Sequence, residues 1–434
     1  FVPNVVDLLG AAKLTGRTSQ GWTVGVVDAF TDEMTGDYLD EAGIRREGVV
    51  EPATNYFATR ISREMRGGQA YVGGMLTSVS RDVDDPGVAA ALAEKAYTGG
   101  LDFYTEFADR VWSLAGFAAG SRLEGSAEAM AGVQLDSARF YQRPDAEGFS
   151  LDPGATSIQG GTVQLQLDKR TGTHWLGDIG LAYVSPGYEI NDLGFQQRVD
   201  RQGMYGRVEY NERTSGDWLR RWKATVYPQM FFNTDGDWLA KNLRAQLELT
   251  HLNYWMLRAE LEYQAEVVDD RLTRGGPVAL KPDGWMYRIR IESDPRQVFS
   301  GDIQYRSEPN GETTRTHEVN GELNYRPGGR WNLGIEPSLT YIKSDAQYVG
   351  AVDDPFAVAT YGRRYAFADL DRTEAGLQAR LNYSVRPELS VELFLQALIS
   401  HGDYGPPKEF LAPRGYDFAV YGRDQGSISK SDSV

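Results

Sequence analysis

The sequence predicts an all-β protein, a transmembrane antiparallel up-and-down β-barrel of about 18 strands, within a range of roughly 16 to 22. Three observations support this prediction: apolar and polar residues alternate, short turns alternate with long loops, and aromatic residues stand near both ends of the apolar stripes. The stretch GGTVQLQLDK shows the alternation, with Val163 and Leu165 on one face and Gln164 on the other. A strand with two such different faces separates two environments.

The same alternation recurs along most of the chain. It is clearest at residues 204–211, 221–232, 255–264, 285–292 and 377–383. In these stretches apolar residues, most often Leu, Val, Ile, Trp, Tyr, Met or Ala, alternate with mainly polar ones, most often Arg, Glu, Gln, Lys, Thr or Asn. Because no long stretch repeats its apolar residues every three to four positions, the membrane-spanning elements are predicted to be strands.

The connections between strands fall into two classes. Short turns are predicted at residues 17–20, 66–68, 169–172, 213–217, 251–253, 293–296, 326–329 and 386–388. Longer loops are predicted near residues 31–51, 83–96, 122–160, 186–200, 267–283 and 343–371. Two loops are predicted to contain short helices, over 88–95 after Pro86 and over 126–139 with Ser126 as the N-cap.

Large aromatic residues recur near both ends of the apolar stripes. Their spacing of eight or ten residues corresponds to roughly 20–25 Å along the membrane normal, for about 3.3 Å per residue and a strand tilt near 40°. This is close to the height of the apolar band of an outer-membrane barrel, so we predict two aromatic girdles. The pairs are Trp175 with Tyr183, Trp222 with Phe232, Trp255 with Tyr263, and Trp331 with Tyr341.

Composition excludes several classes of function. The chain of 434 residues has no cysteine, which excludes disulfides and thiolate chemistry, and its four histidines are far apart in sequence. The net charge of −16 argues against nucleic acid, whose binding proteins usually carry a basic patch. No cofactor and no metal site are predicted. Residues 1–434 are predicted to form a single barrel domain.

Six motifs span nearly the whole chain and resemble an uncharacterised family of bacterial outer-membrane proteins. They are DLLGAAKLTGR from Asp7, EPATNYFATR from Glu51, SPGYEINDLGFQQR from Ser185, DDRLTRGGP from Asp269, YGRRYAFADLDRT from Tyr361 and DYGPPKEFLAPRGYDFAVYGRD from Asp403. The resemblance implies an outer-membrane barrel and brings no known reaction or catalytic residue. The family's barrel follows an amino-terminal module similar to carbohydrate-binding modules of family nine.

That module is missing from this sequence. Residues 425–434 are polar and are predicted to form a flexible tail rather than a final strand. We therefore expect these 434 residues to be the ordered part of a longer chain, in which at least one further hairpin completes the wall.

The polar faces of the predicted strands are rich in charge of both signs. Several oppositely charged residues stand close together in the sequence: Arg207 and Glu209, Arg244 and Glu248, and Arg258 and Glu260. One interpretation is a water-filled pore that selects solutes by charge, and the other is a ladder of cross-strand ion pairs that stiffens the lumen. The predicted lumen-lining residues are Arg207, Glu209, Arg221, Lys223, Arg244, Glu248, Arg258, Glu260, Glu262, Arg288, Arg290 and Glu292.

Two loop motifs combine carboxylates, arginines and aromatic residues. The preferred interpretation is that internal salt bridges order these loops, and the alternative is that they bind a glycan or a divalent ion. A carboxylate pair for hydrolysis is the weakest interpretation. The candidate residues are Asp269, Asp270, Arg271 and Arg274, together with Asp353, Asp354, Arg363, Arg364 and Asp369. The calcium-like stretch NTDGDW is interpreted as an ordinary turn, because Arg244 stands where a calcium loop requires glutamate.

The segment SPGYEINDLGFQQR is more apolar than a solvated loop should be. Tyr188, Ile190, Leu193 and Phe195 indicate that it folds inward and occludes the lumen, or that it meets another chain. Inward folding is the preferred interpretation.

The sequence therefore predicts a non-enzymatic protein in the outer membrane of a diderm bacterium, in contact with lipid. The leading hypothesis is passage or uptake of a solute through the barrel. The second is a membrane anchor or scaffold that presents a carbohydrate-binding module within a complex of envelope proteins, and the third is a surface enzyme. A glycan is a possible partner, and nucleic acid is not.

Overall fold

A computed structural model describes residues 6–39 and 43–426 of the chain. The strands are β1 (Leu8–Arg17), β2 (Trp22–Thr31), β3 (Met34–Leu39), β4 (Arg45–Glu51), β5 (Thr54–Met65), β6 (Ala70–Arg81), β7 (Lys95–Phe107), β8 (Trp112–Glu124), β9 (Ser157–Lys169), β10 (Trp175–Val184), β11 (Arg201–Glu212), β12 (Leu219–Phe232), β13 (Trp238–His251), β14 (Met256–Gln264), β15 (Val267–Asp269), β16 (Ala279–Lys281), β17 (Gly284–Glu292), β18 (Phe299–Pro309), β19 (Arg315–Gly328), β20 (Trp331–Asp353), β21 (Arg363–Arg386), β22 (Leu389–Tyr404), β23 (Lys408–Phe410) and β24 (Phe418–Val420). The helices are α1 (Pro86–Ala91) and α2 (Ala127–Leu135), and two 3-10 turns span Arg66–Gly68 and Val358–Thr360.

The predicted all-β fold class is confirmed. Twenty of the strands described belong to one antiparallel sheet, which lies within the predicted range, and the hairpins β3–β4 and β15–β16 form small sheets of their own. Leaving out the six shortest of the 24 strands (β3, β4, β15, β16, β23 and β24) leaves 18 strands of nine or more residues. None of the helices that the structure describes has the length and apolar character needed to cross a membrane.

The contacts group the chain into two compact units. Unit 1 contains the described residues up to Thr171 together with 178–205 and 231–237, and unit 2 contains residues 172–177, 206–230 and those from Trp238 onward. The prediction of a single domain remains a prediction. The predicted tail at 425–434 lies, beyond Gly426, outside the described residues.

In each unit, strands pair in an up-and-down order. In unit 1 the neighbours are β1, β2, β5, β6, β7, β8 and β9, and each pair is antiparallel. In unit 2 the neighbours are β13, β14, β17, β18, β19, β20, β21 and β22. The short connections are hairpin turns, which join antiparallel neighbours without a crossover.

Strand β17 shows why these sequences form two-faced strands. Trp285, Tyr287, Ile289 and Ile291 are all exposed, whereas the alternate residues between them are buried or half-buried. Side chains of a strand point alternately to opposite faces, so one face of β17 is wholly apolar and the other carries charge. The apolar face is thus the more exposed one, which is the reverse of a soluble sheet.

Most predicted connections are confirmed, with three corrections. The predicted loop at 343–371 is mostly strand, because β20 and β21 continue as one hairpin until the connection at 354–362. The predicted loops at 31–51 and 267–283 contain the short hairpins β3–β4 and β15–β16. These segments are rich in polar residues and show little apolar–polar alternation, so the sequence pattern did not identify their strands.

The two predicted helices are present but shorter than predicted. In α1, the Asp85 side chain accepts hydrogen bonds from the backbone of Gly87 and Val88, and the helix ends at Ala91 because β7 already begins at Lys95. In α2, the predicted N-cap Ser126 accepts a hydrogen bond from the Ala129 backbone at 3.0 Å. A hydroxyl or carboxylate at this position satisfies backbone donors that the first helical turn leaves free.

Each unit has one small apolar core outside the long strand wall. In unit 1, Met130 of α2 packs with Val79, Leu123 and Ile158 from strand ends. In unit 2, the larger core is aromatic and includes Phe367 and Phe410. These cores anchor long connections to the ends of the strands, as buried apolar clusters do in soluble domains.

A close backbone contact in unit 1 requires glycine. A Cβ atom on Gly160 would lie 2.2 Å from the backbone nitrogen of Tyr188, and one on Gly187 would lie 2.2 Å from the carbonyl oxygen of Gln159. Ser185 strengthens this contact, because its side-chain oxygen accepts a hydrogen bond from the Gly161 backbone at 2.8 Å. The segment after β10 therefore rests directly on the bare backbone of β9.

We predict that Gly160→Ala lowers the free energy of unfolding by about 1–3 kcal/mol, the usual cost of overpacking a close contact. The measurement is urea unfolding of the refolded protein in detergent micelles. Gly120→Ala is the matched control, because Gly120 also lies in this sheet and its nearest neighbour would be 3.6 Å from the new Cβ. Equal effects of the two substitutions would contradict the close contact.

Candidate functional site

The polar face of the sheet in unit 2 carries a network of ion pairs. Arg258 of β14 donates to Glu248 of β13 at 2.9 Å, and Arg288 of β17 donates to Glu260 of β14 at 2.9 Å. In the strand register these residues stand directly opposite one another. Two carboxylates and two guanidiniums on three adjacent strands therefore neutralise one another on a single face.

The network continues across β18 and β19. Arg290 of β17 donates to Asp302 of β18 at 2.8 Å, and Arg306 of β18 lies 3.7 Å from Glu318 of β19. Asp302, Arg306 and Glu318 are functional candidates that the sequence reasoning missed. Alternation is present in GDIQYRSE as well, where Asp302, Gln304 and Arg306 share one face, so the signal was available.

Most pairs of this network join neighbouring strands, whereas the sequence pattern singled out neighbours along one strand. Arg306 also contacts Glu308 of its own strand. Neighbours two residues apart in a strand are separated by about 6.6 Å, while residues directly opposite on the next strand have Cβ atoms only about 5 Å apart. Glu248 accordingly pairs with Arg258 rather than with Arg244, whose guanidinium carbon instead lies 4.4 Å from the centre of the Tyr227 ring. This arrangement is the ladder that the sequence left open as one interpretation.

The other predicted lumen-lining residues each have a partner on the same strand or on the next strand. Arg207 lies 3.6 Å from Glu209, and Glu292 lies 3.9 Å from Arg290. Arg221 donates a hydrogen bond to the Thr250 hydroxyl at 3.3 Å, and Lys223 lies 3.8 Å from Glu248. Glu262 accepts hydrogen bonds from the side-chain amides of Asn242 and Gln264. That these residues line a lumen remains a prediction.

The predicted girdle residues stand on the apolar faces of their strands. Trp175, Tyr183, Trp255, Trp331 and Tyr341 are exposed, and Trp222, Phe232 and Tyr263 are half-buried. Several contact a further aromatic ring on the next strand, as in the stack of Trp331 on Tyr383 with ring centres 4.2 Å apart. Their role as membrane girdles stays a prediction.

Unit 1 contains a cavity of about 500 Å³ on the polar face of β5 to β9. Its lining is mainly apolar, and polar groups in it are paired: Arg60 donates to Asp102 at 2.7 Å, and Gln164 donates to the Tyr205 hydroxyl at 2.6 Å. The space exists because the other wall positions are mainly alanine, glycine and threonine. Sequence reasoning missed this cavity, since runs of small residues give little contrast between the two faces.

The segment between β10 and β11 covers this cavity. Glu189, Ile190, Asp192 and Leu193 line it opposite the strands. Two ion pairs hold the segment in place. Asp192 pairs with Arg81 at 2.6 Å, and the buried Glu189 pairs with the buried Arg139. The segment therefore lies over the polar face of these strands, and occlusion of a lumen, the preferred interpretation from the sequence, stays a prediction.

A second buried charged cluster lies beside α2 in unit 1. Asp235 accepts hydrogen bonds from the Gly148 backbone at 2.8 Å and from Arg143 at 3.3 Å. Asp200 accepts from the Thr234 hydroxyl at 2.7 Å. Burial raises the pKa of the Asp200 carboxyl above its ordinary value, although the hydrogen bonds from Thr234 oppose the shift.

The predicted candidate residues at 269–274 hold their own loop together. Asp269 accepts hydrogen bonds from the backbone of Arg271 and Leu272, and the Arg274 guanidinium lies 4.6 Å from the centre of the Tyr348 ring. Asp270 is buried and lies 4.0 Å from Arg271. These contacts are those of an ordered loop, and a ligand there remains a hypothesis.

The second predicted group is divided between a loop and a strand. Asp353 pairs with Arg363 at 3.0 Å where β20 and β21 end, and Asp369 of β21 pairs with Lys408 at 2.8 Å. Arg364 bridges Asp354 to the buried Glu409, and its hydrogen bond lowers the pKa of Asp354. The residues are therefore not gathered around one empty point.

The NTDGDW stretch forms a turn, as the sequence indicated. Asn233 caps it by accepting a hydrogen bond from the Asp237 backbone at 2.8 Å, and Gly236 has the positive φ of 82° that the turn needs. Over the described part of the chain, no group of three or more histidine or carboxylate side chains is arranged to hold a metal ion.

We predict that Arg139→Met destabilises the fold by about 3–5 kcal/mol, because it leaves the buried Glu189 carboxylate without its partner. Urea unfolding in micelles measures the loss, and faster proteolysis within residues 186–198 should accompany it. Arg122→Met is the matched control: its ion pair with Glu124 is exposed, so its loss should cost less than about 1 kcal/mol. Similar losses for both variants would refute the role of the buried pair.

We also predict a pH dependence that Asp200 causes. Because the folded chain raises the pKa of Asp200, the folded state binds this proton more tightly than the unfolded state, and ionisation above the raised pKa destabilises the fold. As the pH is lowered from about 7 to about 4, the unfolding free energy of the wild type should therefore rise relative to that of Asp200→Asn. Parallel pH profiles of the two proteins would rule out this titration.

Solved structures that match this chain include an iron transporter, a ferric enterobactin receptor and a porin. The FrpB iron transporter from Neisseria meningitidis matches with 9% sequence identity and a TM-score of 0.42, over 92% of this chain and 59% of that chain. A mutant of the ferric enterobactin receptor from Pseudomonas aeruginosa matches with 8% identity and a TM-score of 0.42, over 94% and 72%. The anion-selective porin from Comamonas acidovorans matches with 11% identity and a TM-score of 0.31, over 91% and 100%.

The chain thus spans about three fifths of the length of the FrpB transporter that it matches. Among curated proteins, none matches its sequence. A sequence family matches residues 1–416, which is nearly all of the chain. The chain therefore belongs to the DUF5916 family, a domain of unknown function.

Proposed function

We propose that this chain is the membrane-spanning part of an outer-membrane protein of a diderm bacterium, that its sheet closes into a β-barrel, and that polar solutes pass along its charged inner face. The observation that carries the proposal is the division of its strands into an exposed apolar face and a charged polar face.

The apolar face supports contact with lipid. Leu101 in unit 1 is 73% exposed, and Ile303 in unit 2 is 55% exposed, in each case beside other exposed aliphatic side chains. Soluble proteins rarely expose contiguous apolar patches of more than a few hundred Å². Hydrocarbon removes this cost, and it also requires that the backbone hydrogen bonds be made between strands, which a closed barrel achieves.

The polar face supports a hydrated path. The ion pairs of unit 2 are only partly buried, with Arg288 and Arg290 keeping 27% and 33% of their side-chain surface exposed. Alternating charges of both signs bind water and small polar solutes without trapping one charge type. The same engagement of Glu248, Glu260 and Asp302 with arginines favours transport over catalysis, since none is left as a free acid or base.

The segment over the polar face of unit 1 gives the proposal a specific consequence. Residues 185–194 occupy space in front of β6 to β9, and ion pairs to Arg81 and Arg139 hold the segment there. We propose that this segment narrows the path for solutes and that larger solutes need it to move.

A second candidate function is a membrane anchor that presents a carbohydrate-binding module within an envelope complex. The observation in its favour is the ordered cluster of connections in unit 2, where Phe410, Tyr416 and Phe418 pack on Phe367 and Tyr348. A rigid cluster of this kind would suit the docking of another protein or module. Co-purification of envelope proteins after mild detergent extraction, abolished by Phe410→Ser, would support it.

Membrane fractionation and planar bilayers test the first proposal. The protein should be recovered with the outer membrane of an expressing diderm bacterium, and the purified protein should insert into lipid bilayers and conduct ions. Recovery in a soluble fraction as a folded monomer would refute the membrane location. Stable insertion without conductance would refute solute passage and leave the anchor hypothesis.

We predict that replacing residues 187–194 with a Gly-Ser linker of equal length increases the single-channel conductance, because the charged fastenings of this segment are removed. The increase should be roughly twofold or more if the segment fills much of the path. An equal replacement of residues 213–217, an exposed hairpin turn, is the control and should leave the conductance unchanged. Unchanged conductance in both proteins would show that the segment does not obstruct the path.

A further inference from the structure

An apolar groove of about 570 Å³ crosses the exposed apolar face of unit 2. Trp255 forms one wall, Leu323 and Ile335 form the other, and Phe299 and Ile291 stand at its ends. Phe299 is 72% exposed and Leu323 is 61% exposed, so the groove is open along its length. Its volume is within the range of about 300–1,000 Å³ that is usual for ligand sites.

The groove is a consequence of two small residues in one row of the sheet. Ser293 and Gly301 are hydrogen-bonded neighbours, since the Gly301 backbone donates to the Ser293 hydroxyl at 2.8 Å. Gly301 stands directly opposite Leu323 in the register. Two adjacent positions without a large side chain leave a channel between Trp255 and Leu323, floored by backbone.

A basic and aromatic cluster stands at the turn end of this groove. The guanidinium carbons of Arg220 and Arg296 lie 4.5 Å and 3.4 Å from the centre of the Tyr254 ring. Tyr254 precedes Trp255 of the groove wall, and Arg296 lies in the turn between Ser293 and Phe299. The cluster and the groove are therefore continuous.

The two arginines differ in how their charge is balanced. Asp294 accepts two hydrogen bonds from Arg296, each of 2.8 Å, which fixes the direction of that guanidinium. Arg220 is exposed, and within residues 6–39 and 43–426 no carboxylate pairs with it. It also shares the face of Trp222 and Val226, the apolar face, where no residue of the ion-pair ladder can reach it. The cluster thus carries an unbalanced positive charge beside an apolar channel.

We infer that this surface binds one glycerophospholipid with an anionic headgroup. An acyl chain lies in the groove between Trp255 and Leu323, and the headgroup phosphate is bound by Arg220 with Arg296. The inference rests on the proposed membrane location. Arginine at the end of an apolar strand face extends towards the phosphate layer of a bilayer, and tryptophan and tyrosine are enriched at the same depth.

The chemistry of the site favours a phospholipid over a protein partner. The lining of the groove is mainly apolar, and several of its polar groups are already paired: the Ser293 hydroxyl with Gly301, Asp302 with Arg290 and Asn324 with Glu322. An acyl chain needs no hydrogen bonds, whereas a strand or helix placed there would bring polar backbone and side chains. Guanidinium groups bind phosphate through charge-assisted hydrogen bonds, which supplies the charge complementarity.

Native mass spectrometry of the purified protein in micelles tests the inference, with phosphatidylglycerol and phosphatidylcholine as the added lipids. The wild type should retain one phosphatidylglycerol in preference to phosphatidylcholine. Arg220→Gln and Arg296→Gln should each weaken the retention about fivefold, the usual effect of one basic residue on an anionic headgroup. Leu323→Trp should reduce retention of either lipid by narrowing the groove.

Two variants are matched controls. Arg386→Gln removes an exposed arginine from the end of β21. Leu339→Trp enlarges a side chain that is 50% exposed on the same apolar face but outside the groove. Both should retain phosphatidylglycerol like the wild type. Equal retention of the two lipids by the wild type, or equal losses in test and control variants, would overturn the inference.

Insertion into vesicles is measured in parallel by resistance to carbonate extraction. Insertion without selective lipid retention would refute this site alone. A wild type that does not insert would instead refute the proposed membrane location.

Discussion

The two-residue repeat of the antiparallel strand is the constraint on which the rest of this structure depends. Because successive side chains point to opposite faces, the residues that build an apolar surface also fix which residues form the polar one. In β17, four exposed apolar residues lie on one face, and the same alternation places Arg288 and Arg290 on the opposite face. A register error of one residue would exchange the two faces, so the pattern and the hydrogen-bonded ladder support each other.

The two units use this constraint differently on their polar faces. Unit 2 fills its face with long charged side chains that neutralise one another across strands, as Arg258 and Glu248 do. Unit 1 has small residues there, and the space is partly filled by the segment after β10, which touches the β9 backbone at Gly160. Both arrangements satisfy polar groups, but only the second encloses a cavity between the strands and a segment of connecting chain.

The fold class and the strand number could be predicted because alternation is a local property of the sequence. The partners of individual charges could not be predicted, because they depend on register: Glu248 meets Arg258 only through the pairing of β13 with β14. The cavity of unit 1 was also beyond the sequence pattern, since Thr98, Gly100 and Ala119 give no contrast between faces. The loop at 343–371 was misjudged because polar strand extensions resemble polar loops.

The contacts of the segment 185–194 bear on the proposal that it moves when larger solutes pass. An apolar plug of the same size would be held more firmly, since a buried ion pair such as Arg139 with Glu189 is costly to desolvate and contributes little net stability. Ion pairs instead specify one position, because they require one geometry. Their attraction weakens when water or a charged solute reaches the two groups, since both can then be solvated or paired elsewhere. The ion pairs of Arg81 and Arg139 therefore fix the position of the segment. Displacing the segment should cost less free energy than it would if an apolar contact of equal area held it.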